Sequence, residues 1–133
     1  MRIVFIIVSL FILLLESCID LSSNNTNEKI IEVSDRTHVR KAILFIKNGG
    51  ATVGDSYHIS IFPYQEMLKD SDIGNAFIAD NQDGAIPSDT SEIRLNWIGS
   101  DTLKVSFSKT LRIFKFNKNV DKTVVLYDSL DLK

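Results

Sequence analysis

The stretch that decides the fold class is residues 93–108, IRLNWIGSDTLKVSFS. Apolar and polar residues alternate on both sides of a short polar break, which is the period of a β-strand with one buried face. The apolar side chains on this face are Ile93, Leu95, Trp97, Leu103, Val105 and Phe107. Residues 99–101, Gly-Ser-Asp, are typical of a turn, so the stretch predicts a β-hairpin. We expect Trp97 to be buried against the aromatic residues of a later hairpin.

Strand patterns also occur before and after this hairpin. They are EVS (32–34), AILFI (42–46), YHISIF (57–62), NAFIAD (75–80), LRIFKF (111–116) and TVVLY (123–127). AILFI is apolar on both faces, which is typical of a central strand. Turns are predicted at residues 34–37 and at NKNVDK, 117–122, where a second hairpin would join LRIFKF to TVVLY.

Only YQEMLKD, residues 64–70, has a helical pattern, and it is too short for more than about two turns. The predicted fold class is therefore all-β. We expect an antiparallel meander of about seven strands that forms a small sandwich or half-open barrel. This single domain is predicted to span residues 30–133.

The N-terminus resembles a bacterial lipoprotein signal peptide over residues 1–17. Arg2 precedes a thirteen-residue apolar stretch, 3–15, shorter than the roughly 20 residues that a membrane-spanning helix needs. LESC, 15–18, resembles a lipobox, although Glu16 stands where a small or apolar residue is usual. In proteins with such a motif the chain is cut before the cysteine, which is then acylated. Cys18 is therefore the predicted lipidation site.

Two alternatives stay open for this segment: an uncleaved membrane anchor, and a signal peptide cut elsewhere that leaves Cys18 free. Lipidation would explain why the chain has a single cysteine, which cannot form an internal disulfide. Two or more acyl chains hold a protein durably on a membrane. Residues 18–29, rich in Ser, Asn and Thr, predict a flexible tether between the lipid and the domain.

Composition argues against a nucleic-acid partner. The formal net charge is −2 over the whole chain, and it stays −2 without residues 1–17, which hold one cation and one acid. Lys and Arg appear scattered along the chain, with neither a basic footprint for nucleic acid nor a polybasic patch for a membrane surface.

The order of motifs resembles a family of small, often lipid-anchored bacterial proteins known only as a domain of unknown function. It is carried by SDRTHVRKAILF (34–45), NGGATVGDSYHISIF (48–62), GNAFIAD (74–80), the hairpin at 93–108 and RIFKF (112–116). The resemblance covers most of residues 32–127 and supports the fold class, but the family has no established activity to carry over. Where it commonly has Cys before Gly-Ala-Thr, this chain has Gly49.

Several motifs invite a chemical interpretation, and each has a simpler one. NGGATVGDS, 48–56, lacks the lysine and the following helix of a phosphate loop, so a loop between strands is expected. ADNQDG, 79–84, departs from the order of a calcium loop, which leaves a weak cation site at Asp80, Asp83 and Asp89 as the alternative. His38 and His58 are too few for a zinc site without carboxylates. Four aromatic residues are predicted to be core: Phe107, Phe114, Phe116 and Tyr127.

These observations predict a non-enzymatic lipoprotein of the bacterial envelope that acts as a binding or interaction module. We expect no catalytic residue, metal or cofactor. The predicted partners are the membrane, through Cys18, and an unknown protein or cell-wall component, with the folded domain on the periplasmic or extracellular side of the cell membrane or outer membrane. The alternatives are an immunity or inhibitor lipoprotein and an envelope hydrolase. A shallow surface with an exposed strand edge would favour a binding module, and a deep pocket lined by titratable groups would favour the hydrolase.

Overall fold

The computed structural model describes residues 26–50, 53–82 and 91–131. The predicted signal peptide and Cys18 lie outside this part. The described strands are β1 (Asn27–Ser34), β2 (Arg40–Lys47), β3 (Ser56–Pro63), β4 (Phe77–Asp80), β5 (Ile93–Ile98), β6 (Thr102–Ser108), β7 (Arg112–Phe116), β8 (Asn119–Val120) and β9 (Thr123–Leu130). They form a five-stranded sheet, in the order β1-β2-β3-β4-β7, and a four-stranded sheet, in the order β5-β6-β9-β8. The all-β prediction is confirmed, and the two sheets form a sandwich.

The hairpin predicted at residues 93–108 is confirmed. β5 and β6 pair antiparallel, with Ile93 opposite Phe107 and Trp97 opposite Leu103. The alternating residues divide as expected: the predicted apolar face packs on the core, and Arg94, Asn96 and Ile98 are exposed on the other face.

The central position predicted for AILFI is also confirmed. β2 lies between β1 and β3, and every residue from Lys41 to Ile46 is buried. One face contributes Ala42, Leu44 and Ile46 to the core between the sheets. The other contributes Ile43 and Phe45 to a smaller cluster with Phe62 and Leu68. A strand that is apolar on both faces needs cover on both, and β2 has it.

A covering segment, residues 64–76, shields the outer face of the five-stranded sheet. It contains the stretch for which a short helix was predicted. That prediction is wrong, since residues 64–70 form turns and irregular chain. Side chains of the sheet bind this backbone directly: the Ser60 hydroxyl donates to the Ile73 carbonyl at 3.2 Å, and the Asn27 amide donates to the Lys69 carbonyl at 2.7 Å. These bonds satisfy backbone groups that a helix would have satisfied internally.

The second predicted hairpin is wrong. β7 pairs with β4 in the five-stranded sheet, whereas β9 pairs parallel with β6 in the other sheet. The polar stretch 117–122 crosses from one sheet to the other and adds the two-residue strand β8, which pairs antiparallel with the start of β9. An alternating pattern specifies which side chains are buried but not which strand lies alongside.

The sandwich has two distinct ends. At one end, which we call the tether end, β1 begins at Asn27, opposite Lys47. This places the first residues of β1 within the predicted tether 18–29. At the other end, the turn end, the turn after β1 lies beside that between β5 and β6, and Arg40 donates to the Thr123 hydroxyl at 3.3 Å. An eight-residue strand separates the two ends by about 26 Å.

Candidate functional site

The pair that most resembles catalytic machinery is Ser56 and His58 on β3. The Ser56 hydroxyl lies 2.8 Å from His58 Nε2. The imidazole is buried, 4% exposed, beneath the covering segment and beside the Phe45 ring. A serine within hydrogen-bond distance of a histidine is the first requirement of a nucleophile and general-base pair.

The other ring nitrogen decides against that role. The Gly74 backbone N–H donates to His58 Nδ1 at 2.9 Å, so Nδ1 must be an unprotonated acceptor. In the neutral ring the proton then resides on Nε2, which donates to Ser56 instead of accepting from it. A general base needs the opposite tautomer, with a free lone pair facing the hydroxyl. The arrangement holds the covering segment in place and does not activate Ser56.

The electrostatic surroundings of His58 agree with this structural role. Burial, and to a lesser extent the positive charges of Lys47 and Lys115, lower the pKa of His58 from 6.5 to about 4. A base is most effective with a pKa near the working pH. His58 is therefore neutral at pH 7 and a weak base.

A wide, open cleft lies at the turn end. Its volume is about 530 Å³. It is lined by Val33, Ser34, Asp35, Arg36, His38, Leu95, Asn96, Trp97 and Gly99. Trp97 is half-buried here and its indole N–H donates to the Val33 carbonyl at 3.0 Å, which ties one sheet to the other. The prediction that Trp97 packs against the aromatic residues of a later hairpin is wrong. Trp97 lies beside β1, because its partner Leu103 is at the opposite end of β6 from Phe107.

The ionisable groups of this cleft belong to its turn. The Asp35 carboxylate accepts from the Val39 N–H and the Thr37 hydroxyl, both at 3.0 Å. Burial raises the pKa of Asp35, but these hydrogen bonds outweigh burial and the net pKa is lowered. His38, which has a positive φ of 54°, stacks on Tyr64 with ring centroids 5.1 Å apart. Asp35 and His38 therefore hold the turn that lines the cleft.

The loop between β2 and β3, predicted at residues 48–56, is a connection between strands as expected. Its first glycine has no room for a side chain. A Cβ at Gly49 would meet the backbone carbonyl oxygens of Val53 and Gly54, so a cysteine would not fit this loop without a shift. Gly50 has φ +73°, the left-handed region that favours glycine.

Of the three acids considered for a weak cation site, Asp83 and Asp89 lie outside the described residues. Asp80 forms an ion pair with Arg112, with 2.6 Å between the Arg112 Nη2 and Asp80 Oδ2. The Arg112 hydrogen bond lowers the pKa of Asp80. Across the described ranges, no three His, Cys, Asp or Glu residues are grouped closely enough to hold a metal ion.

The feature that sequence reasoning missed is the outer edge of β7. β7 is the last strand of its sheet, and no strand within the described part of the chain pairs with its outer edge. Three apolar side chains are exposed there: Ile113 at 38%, Phe114 at 59% and Phe116 at 41%. The core prediction was therefore wrong for Phe114 and only partly right for Phe116. Exposed apolar side chains on an unpaired strand edge favour pairing with another strand.

Aromatic packing supports this edge from behind. Phe116 stacks on Tyr127 with ring centroids 3.7 Å apart, and Tyr127 lies against buried Phe77. The Tyr127 hydroxyl donates to the Asn117 carbonyl at 2.7 Å and burial raises its pKa, so it is neutral. The predicted core roles of Phe107 and Tyr127 agree with these contacts, since Phe107 is buried and Tyr127 half-buried. The β7 edge is therefore packed, through Phe116, against Tyr127 of the other sheet.

The stretch of chain that includes β7 is rich in cations. Residues 109–122 hold five of the fifteen Lys and Arg residues and one acid, Asp121. The expectation of scattered charge overlooked this cluster, which a charge count over a short window would have found. Lys109 is paired with Asp131 and Arg112 with Asp80. The other three cations form no ion pair with any described carboxylate: Lys115, Lys118 and Lys122.

Comparisons of the chain with family models, curated proteins and solved structures found no match. No helix in residues 26–50, 53–82 or 91–131 is long and apolar enough to cross a membrane.

Proposed function

We propose that this protein is a lipid-tethered binding module of the bacterial envelope, anchored through Cys18, that meets a protein partner through the outer edge of β7. The observation that carries the proposal is the exposed apolar side chains on an unpaired strand edge. Exposed apolar patches on a sheet edge mark interaction sites because both the side chains and the backbone groups gain from a partner.

The remaining surface supports binding over hydrolysis. The Ser56–His58 pair has the tautomer opposite to the one a general base requires. The cleft at Trp97 uses its carboxylate and its histidine ring to hold a turn. The β7 edge, by contrast, exposes three apolar side chains on a strand that has no partner on its outer side among the described residues.

The position of the anchor suits this role. β1 begins at the tether end, only nine residues after Cys18. β7 also starts near this end. Its first residue, Arg112, pairs with Asp80 at the end of β4, and the end of β4 lies beside the start of β3, near Tyr57. The domain would therefore present the β7 edge along its side, with the turn end farthest from the membrane.

The anchor is tested by replacing Cys18 with alanine in cells that are fed an acyl precursor. We expect Cys18→Ala to lose the label and to move from the membrane fraction to the soluble fraction or to accumulate unprocessed. Persistence of both the label and the membrane association would contradict the proposed anchor.

The contact surface is tested by photo-crosslinking in the same cells. Benzoylphenylalanine replaces Phe114, or, as the matched control, Met67, which is 73% exposed on the covering segment. We expect a discrete crosslinked product from position 114 and none from position 67. Equal products from both positions, or none from position 114, would contradict the β7 edge as the contact surface.

A further inference from the structure

We infer that the partner of β7 is an extended, acidic segment of another protein, which adds to the five-stranded sheet as a sixth strand. This inference rests on the proposed function and names the chemistry of the partner. Three independent features of the edge carry it: its backbone groups, its side chains and its charge.

The backbone of β7 has an outward-facing donor at Phe116, on the C-terminal side of the irregularity that interrupts its pairing with β4 between Ile78 and Ala79. On the inner side, the Asn117 N–H donates to the Ala76 carbonyl at 2.9 Å, continuing the ladder with β4. Successive amides of a strand point to opposite sides, so the Phe116 N–H points outward. An added strand would satisfy this N–H and the other outward-facing backbone groups of β7. The acyl chain of a lipid has no hydrogen-bonding groups and could not satisfy them.

The side chains limit what such a strand can carry. Ile113 and Phe116 lie opposite Ala79 and Phe77, which are buried in the core between the sheets, so both belong to the core face of β7. The exposed part of Phe116 borders its stack with Tyr127. Alternate apolar residues on the incoming strand would cover Phe116 and continue the core by one strand.

The charge of the chain around β7 indicates which polar residues the incoming strand carries. Lys115 donates to the Gly74 carbonyl but, like exposed Lys118, has no paired carboxylate among the described residues, and residues 109–122 are basic in a chain whose net charge is −2. Acidic residues between the apolar ones would pair with these cations and steer the encounter. A second copy is disfavoured, because two β7 strands side by side would bring these clusters of like charge together.

The test uses the purified full-length chain in detergent micelles and two labelled peptides of about eight residues, a common strand length. One alternates glutamate with valine, and the other alternates lysine with valine. Binding is measured by fluorescence anisotropy, and hydrogen exchange reports on the amides of residues 112–116. We expect the glutamate peptide to bind at least ~10-fold more tightly, to weaken with added salt, and to protect these amides.

Two variants change the edge and one serves as control. Phe114→Asp places a negative charge on the edge and is expected to weaken binding of the glutamate peptide by at least ~10-fold. Lys118→Glu, at an exposed position, is expected to weaken it by ~3-fold and keeps the test available if Phe114→Asp does not fold. Met67→Asp adds the same charge elsewhere and is expected to stay within ~2-fold.

Equal binding of the two peptides, or binding without protection of residues 112–116, would overturn the inference. So would protection of these amides without peptide that rises with protein concentration, since the occupant would then be a second copy. Binding to phosphatidylglycerol vesicles that Phe114→Asp abolishes, without peptide binding, would identify a lipid surface instead. A crosslink from position 114 in cells together with failure of the peptide would leave the proposed function standing and reject only the acidic strand.

Discussion

Acidification from pH 7 to pH 4.5 is expected to destabilise the domain through His58. Unfolded, this histidine has a pKa near 6.5, whereas in the folded protein its pKa is about 4. Between these values the unfolded state binds more protons than the folded state, so stability falls as pH falls. The contribution is fully present above about pH 6.5, declines through the window and levels off below about pH 4.

The magnitude follows from the same two values. The full shift corresponds to about 3 kcal/mol, and about 2.5 kcal/mol of it is lost by pH 4.5. This is a large part of the roughly 5–15 kcal/mol that stabilises a domain of this size. Protonation also places an N–H at Nδ1 facing the Gly74 N–H, so the covering segment loses its hydrogen bond at the same time.

Urea unfolding followed by tryptophan fluorescence at several pH values measures the effect. His58→Asn removes the titrating ring while its side-chain oxygen can still accept from Gly74, so we expect lower stability at pH 7 but a nearly flat profile down to pH 4.5. His38→Asn, the matched control at the exposed histidine, should retain the slope of the native chain. The carboxyl groups of Glu32, Asp35 and Asp80 have lowered pKa values, so their losses come at lower pH.

A free energy of unfolding of the native chain that stays within about 0.5 kcal/mol between pH 7 and pH 4.5 would contradict the role of His58. That role is contradicted equally if His58→Asn keeps the full slope, since another group would then be responsible.

Two further predictions concern the turn end. Trp97→Ala should lower the free energy of unfolding by about 2–3 kcal/mol and Trp97→Phe by about 1 kcal/mol, because the indole is half-buried and donates to the Val33 carbonyl. Ile98→Ala, at an exposed position of the same strand, is the control. A cost of Trp97→Ala below about 0.5 kcal/mol would contradict the role of the indole in joining the two sheets. Lys122→Gly should raise the unfolding free energy by about 0.5–1 kcal/mol, because Asp121 and Lys122, at φ 43° and 61°, form a two-residue turn of the kind that favours glycine second. Thermal or urea unfolding of Lys122→Gly beside Lys118→Gly, which lacks a positive φ, checks this, and a loss of stability in Lys122→Gly would count against the turn assignment.

The sequence alone determined the elements whose physics is local. The alternation in residues 93–108, with a short turn between, fixes the register of the hairpin, since a slip of one residue would turn the apolar face of a strand to solvent. AILFI could be identified as central because a strand that is apolar on both faces needs cover on both. The lipobox around Cys18 is also local, and it stays a prediction because those residues lie outside the described part.

Only the tertiary structure decided which strand lies beside which, and the functional conclusions follow from that. β7 and β9 are close in the chain and both apolar, yet they lie in different sheets, and this separation leaves the β7 edge open with Phe114 exposed. The tautomer of His58 likewise depends on Gly74, sixteen residues away on the covering segment. Periodicity describes how each residue faces its own strand axis, whereas an open edge or a protonated nitrogen depends on neighbours brought from elsewhere in the chain.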